Sequence, residues 1–187
     1  MVTQKTLDLP DAATGALALW KQIRGGRDLP KRSDFKPFEW REWVSDISII
    51  ELHEGANRFF VSLHGGRTQE AIGVNLHKRY MESCLDPDSQ PLAFDPYHES
   101  VRTGLPTFSM LTPMLYPGVF RAFPRLVLPF TDDTPEGGPG RIDRFVTWIG
   151  SDSKQQYDLT ALCAGQHLRQ GQSAELSDRM GLTILAG

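Results

Sequence analysis

Five histidines stand at positions 53, 64, 77, 98 and 167, and two cysteines at 84 and 163. Acid–base, nucleophilic or metal chemistry in this chain has to start from these side chains. No CxxC, HxxxH or HxH lies beside either cysteine, so neither a zinc ligand set nor a dithiol redox pair is spelled out. Both read as ordinary free thiols. A serine hydrolase needs a nucleophile, a histidine and an acid in register, but there is no GxSxG and the histidines are scattered. Gly65-Gly66-Arg67-Thr68 invites comparison with loops whose backbone N–H groups cradle phosphate. It lacks both GxxxxGK[ST] and GxGxxG, and reads as a turn out of a strand. The basic cluster Arg24, Arg27, Lys31 and Arg32 can hold an anion or a partner's acidic patch, yet the same pattern is the commoner mark of a solvated turn.

These residues are positioned by elements that the periodicity makes legible. Residues 1–11 are polar and end in Leu9-Pro10-Asp11, an arm followed by a helix start. Ala12, Ala16, Leu19, Trp20 and Ile23 recur at helical spacing up to Gly25-Gly26, which predicts an amphipathic first helix. Pro37, with Phe38, Trp40, Trp43 and Val44 behind it, predicts a second short helix ending near Ser45. The β-branched runs ISIIELH and RFFVSLH, separated by Glu54-Gly55-Ala56-Asn57, predict a hairpin. Residues 67–102 read as short helices and turns, with Pro91 and Pro96 fragmenting the last of them. Three strands follow, near PTFSMLTPML, FRAFPRLVLPFT and RIDRFVTWIG, the last two flanking the turn-rich TDDTPEGGPG. Beyond 150, Leu159, Leu162 and Cys163 suggest a helix over roughly 154–168, weakened by Gly165 and Gly171. Strands and helices are segregated along the chain, which argues for an α+β antiparallel sheet rather than a doubly wound parallel one.

The bulk numbers fit one domain with an extension: 187 residues, 40% hydrophobic and 23% charged. Twenty Lys and Arg against 23 Asp and Glu give a net charge of −3, without the basic footprint that a nucleic-acid backbone requires. No apolar run reaches membrane-spanning length, and the N-terminus carries no secretory signature, so a cytoplasmic protein with no membrane or nucleic-acid partner is expected.

The blocks WKQIRGGRDLPKRSDFKPFEWREW (20–43), HGGRTQEAIGVNL (64–76) and PRLVLPF with IDRFVTWIG (124–150) together resemble the stand-alone PAS-type sensory domains of alphaproteobacteria. The resemblance spans roughly residues 15 to 150 and rests on block order. It implies a five-stranded antiparallel sheet in the order 2-1-5-4-3, short helices over one face, an N-terminal helix and a ligand cavity. The expected division is an arm and helix over 1–36, a PAS-like domain over 37–150 and a partly helical tail over 151–187.

It also implies a non-catalytic sensory or regulatory module that binds a small molecule or a protein partner and signals in trans through an unidentified protein. Two alternatives stay open: a ligand-free interaction or dimerisation module, and a small-molecule enzyme on a similar curved sheet. Pocket candidates are Phe108, Met110, Leu126, Leu128, Phe130, Val146 and Trp148, with Tyr97 and His98 from the preceding helix. No cofactor is expected; the alternative is haem ligated by His98, since helices in that position supply an axial imidazole in haem-binding relatives. The flavin-binding subclass carries an Asn-Cys-Arg-Phe-Leu-Gln type run, whereas the region around Cys84 reads RYMESCLDP. No metal is expected. A homodimer is expected through Leu19, Trp20 and Ile23 of the first helix.

Overall fold

The computed structural model describes residues 9–53, 58–85, 87, 89–111, 114–116, 119–120, 123–132, 141–151 and 183–184. The 54–57 turn, most of the TDDTPEGGPG loop and the helix expected over 154–168 lie outside the described residues. Helix α1 spans Asp11–Arg24 and α2 spans Gly66–Ile72, with α3 over Gln90–Thr103. The long strands are β1 (Ile47–His53), β2 (Arg58–His64), β4 (Thr107–Leu111), β7 (Phe123–Thr131) and β8 (Ile142–Ile149). Two-residue strands β3 (Arg79–Tyr80) and β9 (Thr183–Ile184) lie at the two edges, giving the order β3-β2-β1-β8-β7-β4-β9. Without those edge pieces the order is the 2-1-5-4-3 that the resemblance implies, and every pairing in this sheet is antiparallel. The segment after β4 adds a separate two-stranded ribbon, β5 (Met114–Tyr116) with β6 (Val119–Phe120).

The hairpin runs ISIIELH and RFFVSLH are β1 and β2 to the residue. Three local expectations are corrected. Residues 37–46 form no regular helix but a succession of turns closed by i to i+3 bonds, such as Trp40 N to Pro37 O at 3.2 Å and Trp43 N to Trp40 O at 2.9 Å. The segment 79–83 contributes β3 and a 3-10 turn at Met81–Ser83. Residues 90–103 are one helix rather than fragments: Pro91 sits in its first turn, where a missing N–H costs nothing, and Pro96 lies inside it. Gly104 ends α3 with φ 72°, a left-handed cap that a residue without Cβ adopts freely.

Side chains alternate along each strand, so the sheet has two faces with different covers. Beneath α1 lie Ile47, Phe108, Leu126, Leu128, Phe130, Val146 and Trp148, packed against Ala13, Ala16, Leu17, Trp20 and the buried Trp40. The opposite face presents Ile50, Leu52, Phe59, Val61, Val127 and Phe145 to Leu76, Met81, Ala93, Phe94 and Tyr97, the last three from α3. Trp20 is fully buried and its indole N–H donates to the Pro129 carbonyl at 2.9 Å, which ties α1 to β7. Among the described residues no helix is long and apolar enough to cross a membrane.

Candidate functional site

A cavity of about 220 Å³ lies on the α3 side of the sheet. Its apolar wall comes from Ile50 and Val61 on the strands, Ile72 of α2, Val74 and Leu76 after it, and Leu92 of α3. Polar side chains reach it at Ser48, His64, Ser89, Tyr97, Arg125 and Thr147. An apolar chamber with a few convergent polar groups is the ordinary form of a small-molecule site.

His64 gets there through a β-bulge. Ile49 pairs with Leu63 but Ile50 pairs with Val61, so Ser62 is the extra residue. One inserted residue reverses which face the following side chains meet. Leu63 therefore packs towards the α1 cluster, and His64 falls opposite Ser48 on the cavity side. Its Nε2 is 3.3 Å from the Val74 carbonyl, which can only accept, so Nε2 carries the proton and Nδ1 accepts from the Ser48 hydroxyl at 2.9 Å. Burial pulls the imidazole below its ordinary pKa, opposed by the Val74 carbonyl and aided by His77. Among the described residues the contact is a serine–histidine pair with the Val74 carbonyl, not a carboxylate, behind the imidazole, and β1 is paired on both sides, which commits its backbone N–H groups to the ladder rather than to an oxyanion.

Arg125 carries the one full charge among the described wall residues and is 2% exposed. Its Nε donates to Ser109 Oγ at 3.1 Å, Nη1 to the Ala93 carbonyl at 2.9 Å and Nη2 to the Leu92 carbonyl at 3.1 Å. Pro96 explains the last of these. A proline has no N–H for the carbonyl four residues back, and that carbonyl belongs to Leu92. Arg125 supplies the donor that the helix lacks. Burial draws the guanidinium's pKa down, with Tyr97 and Asp95 acting against that through charge. The Tyr97 hydroxyl accepts from Thr147 at 3.2 Å, and burial raises its pKa.

Of the residues singled out from sequence, Met110 and Tyr97 line this cavity. Phe108, Leu126, Leu128, Phe130, Val146 and Trp148 do share one face, but it is the filled face under α1. The alternation was legible and the side was not: the residues between them, Ser109, Arg125, Val127 and Thr147, are on the cavity side. His98 is exposed on the outer flank of α3, edge-on to Phe59 at 5.3 Å, so its imidazole is not placed to ligate haem inside the chamber. Trp20 is spent within its own protomer, and Leu19 and Ile23 are partly buried against the same cluster, so Trp20 is corrected as a dimer contact. Cys84 is a free thiol at the cavity wall, and among the described residues no group of three or more His, Cys, Asp or Glu comes together to hold a metal.

The Gly65 turn is structural. A Cβ there would come within 2.4 Å of the Ser45 carbonyl oxygen. That carbonyl already accepts from the N–H groups of Arg67 and Thr68, at 2.9 and 3.2 Å, so the start of α2 has spent the donors an anion would need. In the basic cluster, Arg27 pairs with Asp34 at 2.8 Å and Arg32 approaches Glu51 and Asp143 at 3.5 and 3.8 Å. These charges bind one another across the surface.

A family model described as PAS domain matches residues 10–109, just over half of the chain. No curated protein matches. Among solved structures the chain is similar to that of a substituted form of RsLOV, with 15% identity, 68% of this chain and 75% of that one covered, and a TM-score of 0.39.

Proposed function

We propose, from the premise that the chain belongs to the PAS domain family, that it is a non-catalytic sensory module which binds a small molecule between sheet and α3 and passes a change of shape to a partner protein. The observation that carries this reading is the chamber itself: one face of the sheet packs its apolar side chains against α1 and the other is left open around six polar side chains, Ser89 among them. At about 220 Å³ it falls below the roughly 300–1,000 Å³ of drug-sized ligand pockets, which favours an occupant smaller than haem or flavin. A ligand moves such a module only by its differential affinity for two states, and α3, which lends the chamber Leu92, Ala93 and Tyr97, is the element placed to respond.

Native mass spectrometry of the purified chain, followed by hydrogen exchange with and without the retained molecule, tests it. The expected result is a small-molecule adduct and slower exchange in α3; a chain that carries no adduct and protects no part of α3 with any member of a metabolite library refutes it. Self-association belongs to the same proposal, through the outer flank of α1, where Leu19 and Ile23 are only partly buried. Light scattering should then give a dimer mass that Leu19→Glu lowers, and a monomer mass for the unsubstituted chain removes this part.

A further inference from the structure

We infer that the cavity is built for a small carboxylic acid with an apolar body, its carboxylate meeting Arg125. This rests on the reading of the cavity as a ligand site and names the ligand's class. The guanidinium is 2% exposed and stays cationic in a protein. Its three bonded acceptors, Ser109 Oγ and the carbonyls of Leu92 and Ala93, are all neutral, and no ion pair to it forms among the described residues. Asp95 acts on it only through space. None of the described residues lining the chamber is Asp or Glu.

A buried charge is ordinarily met by a counter-charge. Satisfying the carbonyl that Pro96 leaves without a donor needs only a neutral N–H, so the positive charge is surplus to that structural task. Three of the five guanidinium N–H bonds are used, which leaves two for the neighbouring Tyr97 hydroxyl and an occupant. Tyr97 accepts from Thr147 and keeps its own proton to donate, so the polar end of the chamber offers donors where an anion needs them. Ile50, Val61, Ile72, Val74, Leu76 and Leu92 give an apolar wall for a hydrocarbon body, and the Ser48 hydroxyl and His64 imidazole beside it are bonded to each other. At roughly 30 Å³ per water the space equals about seven waters, on the order of ten non-hydrogen atoms once packed to protein density.

Calorimetric titration of the full chain with sodium octanoate, and with octanamide as its uncharged isostere, reads the inference. Octanoate should bind about tenfold or more tightly than octanamide, the difference that a charge-assisted hydrogen bond supports. Ile72→Phe, which fills the apolar end and leaves Arg125 alone, should weaken both ligands together. Arg125→Gln should abolish the preference; if that variant does not fold, the ratio measured on the unsubstituted chain still decides. Equal affinities, a preference for the amide, or octanoate binding untouched by Ile72→Phe overturns the inference. So does the absence of binding by either compound. In each of those cases an adduct of another chemical class in the mass spectrum keeps the sensory reading alive, while an empty chamber in both experiments ends both.

Discussion

The two faces of the sheet are made from alternate residues of the same strands, yet one is a closed core and the other a chamber. Under α1 every inward side chain of β7 is apolar, from Leu126 through Leu128 to Phe130, and the covering helix is regular, with small residues Ala13 and Ala16 allowing close approach. On the other side the same strand offers Arg125 and Val127, and the cover is a helix with a proline in its middle. The lesson is that burial alone does not separate core from site, since Arg125 is as inaccessible as most of the leucines. What separates them is whether the covering element fills the space above what lies beneath it.

Trp20→Ala should cause the largest loss. It removes a fully buried indole and its bond to Pro129, and about 3–5 kcal/mol of stability should go with it in urea denaturation. A loss under about 1 kcal/mol would mean that the α1 face is not the closed one. Matched enlargements sharpen the contrast. Val146→Phe, into the filled face, should cost about 1–3 kcal/mol by overpacking. Ile72→Phe, into the chamber, should be neutral or raise stability by about 0.5 kcal/mol. Equal penalties would remove the distinction between the faces.

Arg125→Met keeps the bulk and deletes the donors. The Leu92 carbonyl then has neither Pro96 nor a guanidinium to bond, and a loss of about 1–3 kcal/mol is expected from one buried acceptor left unmade. A more stable variant would show that the charge is held at the expense of the fold. The smallest effect is a pH dependence. His64 has a folded pKa depressed by burial, so its contribution is whole above the unfolded value of about 6.5. As pH falls below that value the unfolded chain takes up a proton that the folded chain resists, and stability declines until the folded value is passed. His64→Gln should flatten that decline in urea midpoints measured between about pH 5 and 7; a slope unchanged by the substitution would mean that His64 is not the group responsible.

The hairpin and the first helix were legible because each rests on local signals, period-two and period-3.6 patterns and glycine stops, whereas the strand order came from the family resemblance that the block order carries. The α3 helix was harder to read, since a proline at 96 argues against a continuous helix until a donor from another strand is known to replace its N–H. The bulge at Ser62 was invisible for a related reason. It is a difference of register between two strands, and only their pairing reveals that His64 faces the same way as Ser48.

Sequence by itself determined that Leu126, Leu128 and Phe130 share one face and that Val146 and Trp148 share one, because alternation is a property of the extended backbone. Only the tertiary structure decided which face each helix covers. An apolar stripe is equally suited to a packed core or to a cavity wall, and the choice turned on where α1 and α3 dock, on the tie from Trp20 to Pro129 and on the buried Arg125 reaching the carbonyls of α3. Those contacts join residues 32 to 109 positions apart, a distance at which no local pattern carries information.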